Sequence, residues 1–157
     1  MKQHRILVGL IFAVLGISIV GCGDNKTHLS GLVPAKGNVT YNGSPLEGAS
    51  VIFIPDDAAT PQQRSAAGLT DSNGKFIVMT LQPDDGIFPG NYKVTVTKKM
   101  PDREITQEEH ESRKSTGMVA PKFIDTLPAK YAKVESTPLS ITFEKKGNTA
   151  IVFELTD

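Results

Sequence analysis

The stretch GNVTYNGSPLEGASV, residues 37–51, decides how this chain is read. Val39 and Tyr41 alternate with Asn38 and Thr40, the period of a strand with one face covered. Asn42-Gly43 follows, and both residues accept positive φ, which suits the two-residue turn of a hairpin. Pro45 presets φ beside the turn. Residues 49–55 (ASVIFIP) are then apolar without a break at their centre, as a strand covered on both faces would be. That pattern leaves open which face of 49–55 points inward.

The same alternation and turn chemistry continue in both directions. Residues 65–71 and 75–80 flank Ser72-Asn73-Gly74, the signature of a hairpin. Asp84-Asp85-Gly86 and Pro89-Gly90 mark two more turns, and positive φ is expected at Gly43, Gly74 and Gly90. Residues 91–98 (NYKVTVTK) alternate strictly through Tyr92, Val94 and Val96, and residues 139–143 (LSITF) repeat this with Leu139, Ile141 and Phe143. After Lys146-Gly147-Asn148, residues 149–155 (TAIVFEL) form the last strand, with Ile151, Phe153 and Leu155 inward. No segment carries an amphipathic helical stripe. Seven short strands with frequent turns predict an all-β, seven-stranded sandwich. Its expected core is Val39, Val51, Phe53, Phe76, Val78, Tyr92, Val94, Val96, Leu139, Ile141, Phe143, Ile151 and Phe153.

The order of these pieces resembles a known family. Gly37-x-Val39-x-Tyr41-Asn42-Gly43-x-Pro45-Leu46-x-Gly48-Ala49-x-Val51 is similar to the opening of carboxypeptidase-regulatory-like domains. Thr70-Asp71-Ser72-Asn73-Gly74-Lys75-Phe76 resembles the second motif of that family, and Pro89-Gly90-Asn91-Tyr92-Lys93-Val94 the third. Pro128-Ala129-Lys130-Tyr131, Ser136-Thr137-Pro138-Leu139 and Gly147-Asn148 resemble the C-terminal half of bacterial lipoproteins built on this domain. The resemblance covers residues 35–157. It implies a seven-stranded Greek-key sandwich, transthyretin-like or immunoglobulin-like, and it implies no particular activity. Some transthyretin-like proteins are purine-pathway hydrolases that use histidines, an arginine and a C-terminal Tyr-Arg-Gly-Ser. This chain reads Phe153-Glu154-Leu155-Thr156-Asp157 there, so the resemblance does not extend to that activity.

The N-terminus reads as an address. Lys2 and Arg5 precede an uncharged stretch, residues 6–20, which is shorter than the about 20 residues needed to span a bilayer core. Ile19-Val20-Gly21-Cys22 resembles the bacterial lipobox, which implies cleavage before Cys22 and acylation of its thiol by palmitate-type chains. Several chains on one residue hold firmly, because each buried CH₂ contributes about 0.8 kcal/mol. Cys22 is the one cysteine of the chain and sits where lipidation needs it. Residues 1–21 are thus read as a lipoprotein signal peptide, residues 22–34 as a lipidated tether, and residues 35–157 as the domain. Gly23 after the cysteine favours the outer membrane over the inner.

Composition excludes several classes. The 157 residues carry 17 Lys+Arg and 17 Asp+Glu, and removal of residues 1–21 takes away two of the bases. A near-neutral chain has no electrostatic reason to seek nucleic acid. One cysteine excludes an internal disulfide framework and a Cys-cluster zinc site. The absence of Trp leaves little for a sugar-stacking platform, which would need Tyr41 or Tyr131 exposed.

Candidate chemistry is sparse. Asp71 with Asn73, and Asp84 with Asp85, sit in acidic turns, and a two-loop calcium site would need Asp71, Asp84 and Asp85 to converge. Neither turn has the spacing of an EF-hand loop. His28 lies in the tether and His110 in a charged segment, neither with a second ligand nearby. Residues 99–137 form a long polar insertion between strands, and connections of that length are usually functional or disordered. Thr106 and Glu109 fit a capping box and Glu109 pairs with Arg113 at helical spacing, without an apolar stripe to bury. Phe123, Ile124, Leu127 and Tyr131 are expected to pack back on the sandwich edge. The sequence therefore reads as a lipid-anchored envelope protein, not an enzyme, without a cofactor. It would act as a structural or protein-interaction module held to the membrane through Cys22. The alternatives are a polysaccharide- or peptide-binding module, and a calcium-binding or hydrolytic protein using the acidic loops.

Overall fold

The computed structural model describes residues 29–56, 63–104 and 121–157. They hold ten short strands: β1 (Ala35–Tyr41), β2 (Ser44–Pro45), β3 (Ser50–Pro55), β4 (Ala66–Leu69), β5 (Lys75–Ile77), β6 (Gly90–Thr97), β7 (Lys99–Pro101), β8 (Phe123–Asp125), β9 (Ser140–Phe143) and β10 (Asn148–Leu155). No α-helix occurs among the described residues, and one 3₁₀ turn, η1, spans Ala129–Tyr131. Ten strands replace the expected seven. The additions are the two-residue β2 and the ribbon of β7 and β8, which alternation over short polar segments does not reveal.

Two sheets enclose the core. In the first, β10 lies parallel to β1, and β2 and β5 share the other side of β1 as antiparallel partners. In the second, the order is β4, β3, β6, β9, all antiparallel. The expected hairpin of residues 65–80 does not form as such. β4 joins β3 in the second sheet, and β5 crosses to β1 in the first, so a single bridge between Ala67 and Met79 links the two segments. Asn42-Gly43 does make its turn, with φ of 49° and 80°.

The core follows alternation closely. Val39, Val51, Phe53, Phe76, Val78, Tyr92, Val94, Val96, Phe143, Ile151 and Phe153 are buried, while Leu139 and Ile141 are partly buried against them. In β3, Val51 and Phe53 point inward, while Ile52 and Ile54 are half-buried. Ile87, Ala35, Ala49, Leu46 and Leu155 join the core. Phe53 is its centre, with ring centroids 6.1 Å from Phe76 and 6.3 Å from Phe153 in one sheet and 5.7 Å from Phe143 in the other. Burial pushes the Tyr92 phenol up to about 12, and its hydroxyl donates to the Phe88 carbonyl at 2.9 Å.

Two glycines are required by close approach. A Cβ on Gly37 would lie 2.6 Å from the Ile151 side chain and 2.8 Å from the Phe76 ring. That clearance lets β10 and β5 close on β1 from both sides. Gly74 has φ of 73° and would press a Cβ onto the Val39 carbonyl. Gly43 and Gly90 also take positive φ, as expected.

The insertion is folded at both ends. β7 pairs with β8, and Leu127 and Tyr131 are buried. Phe123 and Ile124 do not pack back: they are 59% and 54% exposed, because β7 and β8 form a separate two-stranded ribbon with no other described strand paired to it. Val33, within the predicted tether, bridges Ile87 through hydrogen bonds of 2.8 and 3.0 Å and is itself buried. Cys22, His28, His110 and the Thr106–Glu109–Arg113 pattern lie outside the described residues.

Candidate functional site

Alternation that fills the core also decides what faces outward. In β5, Phe76 points inward, so Lys75 and Ile77 point out. In β10, Ile151 and Phe153 point inward, so Val152 points out. Gly37 draws these strands together on either side of β1. The outer face of the first sheet is thus floored by Ile77, Val152 and the short Ala150. Leu69 and Met79 stand beside it, and the turn at Asp71–Asn73 and the segment Pro83–Asp84 rise at its margin. The result is an open groove of about 900 Å³. Ile77 is 40% exposed and Val152 55%, both on the outer face of the sheet. Lys36, Lys75, Asp71 and Asp84 rim it with both signs of charge.

The walls are held by two acidic turns. The Asp71 carboxylate accepts the amides of Asn73 and Lys75 at 2.8 and 2.9 Å, fixing the turn into β5. Asp85 accepts the amides of Thr80, Leu81 and Gln82 at 2.6, 2.9 and 3.0 Å. Partial burial opposes its charge, but the three amides prevail and hold its carboxyl below the usual range. The calcium candidates therefore divide. Asp71 and Asp84 line the same groove, whereas Asp85 is turned into its own loop as an acceptor for three amides. Among the described residues no group of three or more His, Cys, Asp or Glu is placed to hold a metal ion.

A second polar cluster ties the far end of the first sheet. The Tyr41 hydroxyl and the Asn42 amide both donate to the Asp157 carboxylate, Asn42 at 3.0 Å. The hydrogen bond to Asp157 raises the Tyr41 phenol, and the same bond lowers Asp157. Lys130 donates to the Asp157 main-chain oxygen at 2.8 Å, and its ammonium sits 5.1 Å from the Tyr131 ring centroid. The Tyr131 hydroxyl donates to the Thr156 carbonyl and accepts its amide. Burial opposes ionisation of Tyr131, while the bonds to Thr156 and the charge of Lys130 lower its phenol overall. Tyr131 is thus buried and Tyr41 half-buried, each with its hydroxyl engaged.

The groove residues Lys36, Asn38, Ile77, Met79 and Val152 were not among the sequence candidates. A signal existed: once Phe76 and Val78 are assigned inward, Ile77 and Met79 are left as apolar residues on the outer face.

No family model matches the chain, and no curated protein does. Among solved structures, a 9R-lipoxygenase from Cyanothece PCC8801 is 16% identical over 81% of this chain, with a TM-score of 0.37. The chain spans 16% of that protein's length. A likeness at this level bears on neither fold family nor chemistry. No described helix is long and apolar enough to cross a membrane.

Proposed function

We propose that this chain is a lipid-anchored protein of the bacterial cell envelope whose sandwich domain is a non-enzymatic protein-interaction module. The anchor reading rests on Ile19-Val20-Gly21-Cys22 and its position after an uncharged stretch. The domain reading rests on the resemblance of residues 35–157 to carboxypeptidase-regulatory-like domains. The observation that carries the function is the groove over Ile77 and Val152, an apolar floor with a mixed-charge rim. Its occupant is an extended protein segment with apolar side chains on one face. A flat apolar floor suits such a segment, and Lys36, Lys75, Asp71 and Asp84 would orient its polar groups.

The test is in-cell photo-cross-linking from Ile77, run beside a Cys22→Ala form, with captured proteins identified by mass spectrometry. A small, repeatable set of proteins captured only with Cys22 intact supports the reading. Capture of nothing from Ile77, with the chain acylated and folded, overturns it. Metabolic labelling with a fatty-acid analogue checks the anchor separately, and incorporation that survives Cys22→Ala would refute it.

A further inference from the structure

The edge of the first sheet carries a pattern that the groove does not explain. β10 has β1 on one side, and no described strand along the other. The Leu155 carbonyl accepts the Asn42 amide at 2.9 Å, so Leu155 faces β1. Thr156 turns both its main-chain groups the opposite way, to the Tyr131 hydroxyl, at 3.0 and 3.1 Å. Main-chain groups alternate sides along a strand, so Val152 and Glu154 aim their N–H and C=O away from β1. The register shift between Ala35 and Gly37 puts Ala150 on that side too, and its N–H donates to the Asn148 side chain at 3.0 Å. The edge is therefore closed at both ends. Between them it presents an acceptor at Ala150, a donor and an acceptor at Val152, and a donor and an acceptor at Glu154.

We propose that this edge pairs antiparallel with the same edge of a second copy of the chain, about a two-fold axis through Val152. The pattern complements itself under that operation. Val152 exchanges both bonds with its twin, and each Glu154 N–H meets the Ala150 carbonyl of the other copy, four bonds in all. Ideal pairing would also join each Ala150 N–H to a Glu154 carbonyl, but Asn148 already holds that N–H, so the Glu154 carbonyl stays open to solvent. The side chains agree. Each exposed Val152 meets the other, and each Glu154 faces a small Ala150 with Lys36 on the next strand beyond it. An isologous contact of this kind closes as a dimer. β10 is eight residues long and has neither Lys nor Pro, and its register shift lies at its start, before Val152. By contrast β9, an edge strand of the second sheet, is four residues long and runs into Glu144-Lys145-Lys146. The proposal is independent of the membrane anchor; Val152 and Ala150 also line the groove, so the test reads self-association of the purified chain with no other protein present.

The experiment uses the purified full chain in detergent. Sedimentation equilibrium is expected to show reversible dimerisation in the micromolar range, the weak end of specific interfaces. Val152→Lys, a change at an exposed side chain, is expected to weaken association at least tenfold with the circular dichroism unchanged. For Val152→Cys, opposed Cα atoms about 5.5 Å apart lie within disulfide reach, so mild oxidation links two copies. Lys145→Cys and the wild-type chain, which reports Cys22 alone, serve as controls. A monomer at all concentrations up to about 100 μM overturns the proposal, as does Val152→Cys linking no faster than Lys145→Cys. None of these results depends on what Ile77 captures.

Discussion

The two sheets bury similar residues and expose different ones. The second sheet turns Lys93 and Thr97 of β6 to its outer face beside the half-buried Ile52 and Ile54 of β3, with Thr95 buried there and Thr142 donating to Asn91 at 2.7 Å across β9 and β6. The first sheet turns out Ile77 and Val152. Inward, both supply aromatic rings to one cluster around Phe53. Stability requires only that the inner faces be apolar and well packed. It places no such demand on an outer face, so the exposed Ile77 and Val152 contribute little to the stability of the fold. The comparison therefore separates residues that hold the sandwich together from residues that could meet a partner.

The comparison breaks most sharply at Phe53. Because its ring touches both sheets, Phe53→Ala should destabilise the fold by about 3–5 kcal/mol in denaturant unfolding. A loss below about 1 kcal/mol would mean that the sheets do not share one core. Asp85→Asn, at the groove wall, should cost about 1–2 kcal/mol by weakening three charge-assisted amide bonds. Asp85 has a folded pKa below its unfolded value. Its contribution is therefore present above the unfolded carboxylate range, near 3.9, and is lost as pH falls through the folded value. Acid unfolding of Asp85→Asn should show a shallower loss of stability below about pH 4, and an unchanged profile would contradict that assignment.

Tyr131→Phe should cost about 1 kcal/mol, since it leaves Thr156 without its partner for both N–H and C=O. Hydrogen exchange at Thr156 should rise with it. The smallest effect belongs to the groove. Ile77→Thr should change stability by less than about 0.5 kcal/mol, because the side chain is already exposed. The same change should reduce capture in the cross-linking experiment, and a large stability loss would place Ile77 with the core instead.

Alternation was enough to locate β1, β3, β6, β9 and β10 and almost all of the core. It worked because one covered face forces a period of two on side-chain chemistry. It misread residues 65–80 as a hairpin, because Ser72-Asn73-Gly74 reports a turn and not the sheet that each flanking strand joins. The groove was legible only as a remainder, in Ile77 and Met79 opposite Phe76 and Val78. Its apolar surface exists because β5 and β10, some seventy residues apart in sequence, meet on β1. Asp71, Asp84 and Asp85 looked alike in sequence. The tertiary fold distinguished them by giving Asp85 three amides and leaving Asp71 and Asp84 on the groove rim.

By itself the sequence determined the strand-forming character of residues 37–98 and 139–155, the turns between those strands, and the inward set that packs around Phe53. These are local properties, set by φ preferences and by the two-residue period. Only the tertiary structure decided that β10 runs parallel beside β1, that β5 leaves β4 to join it, and that Ile77 and Val152 share one open face. Such pairings depend on which distant edges fit together, here on the space that Gly37 leaves for Ile151 and Phe76. A local reading of side chains does not contain that information.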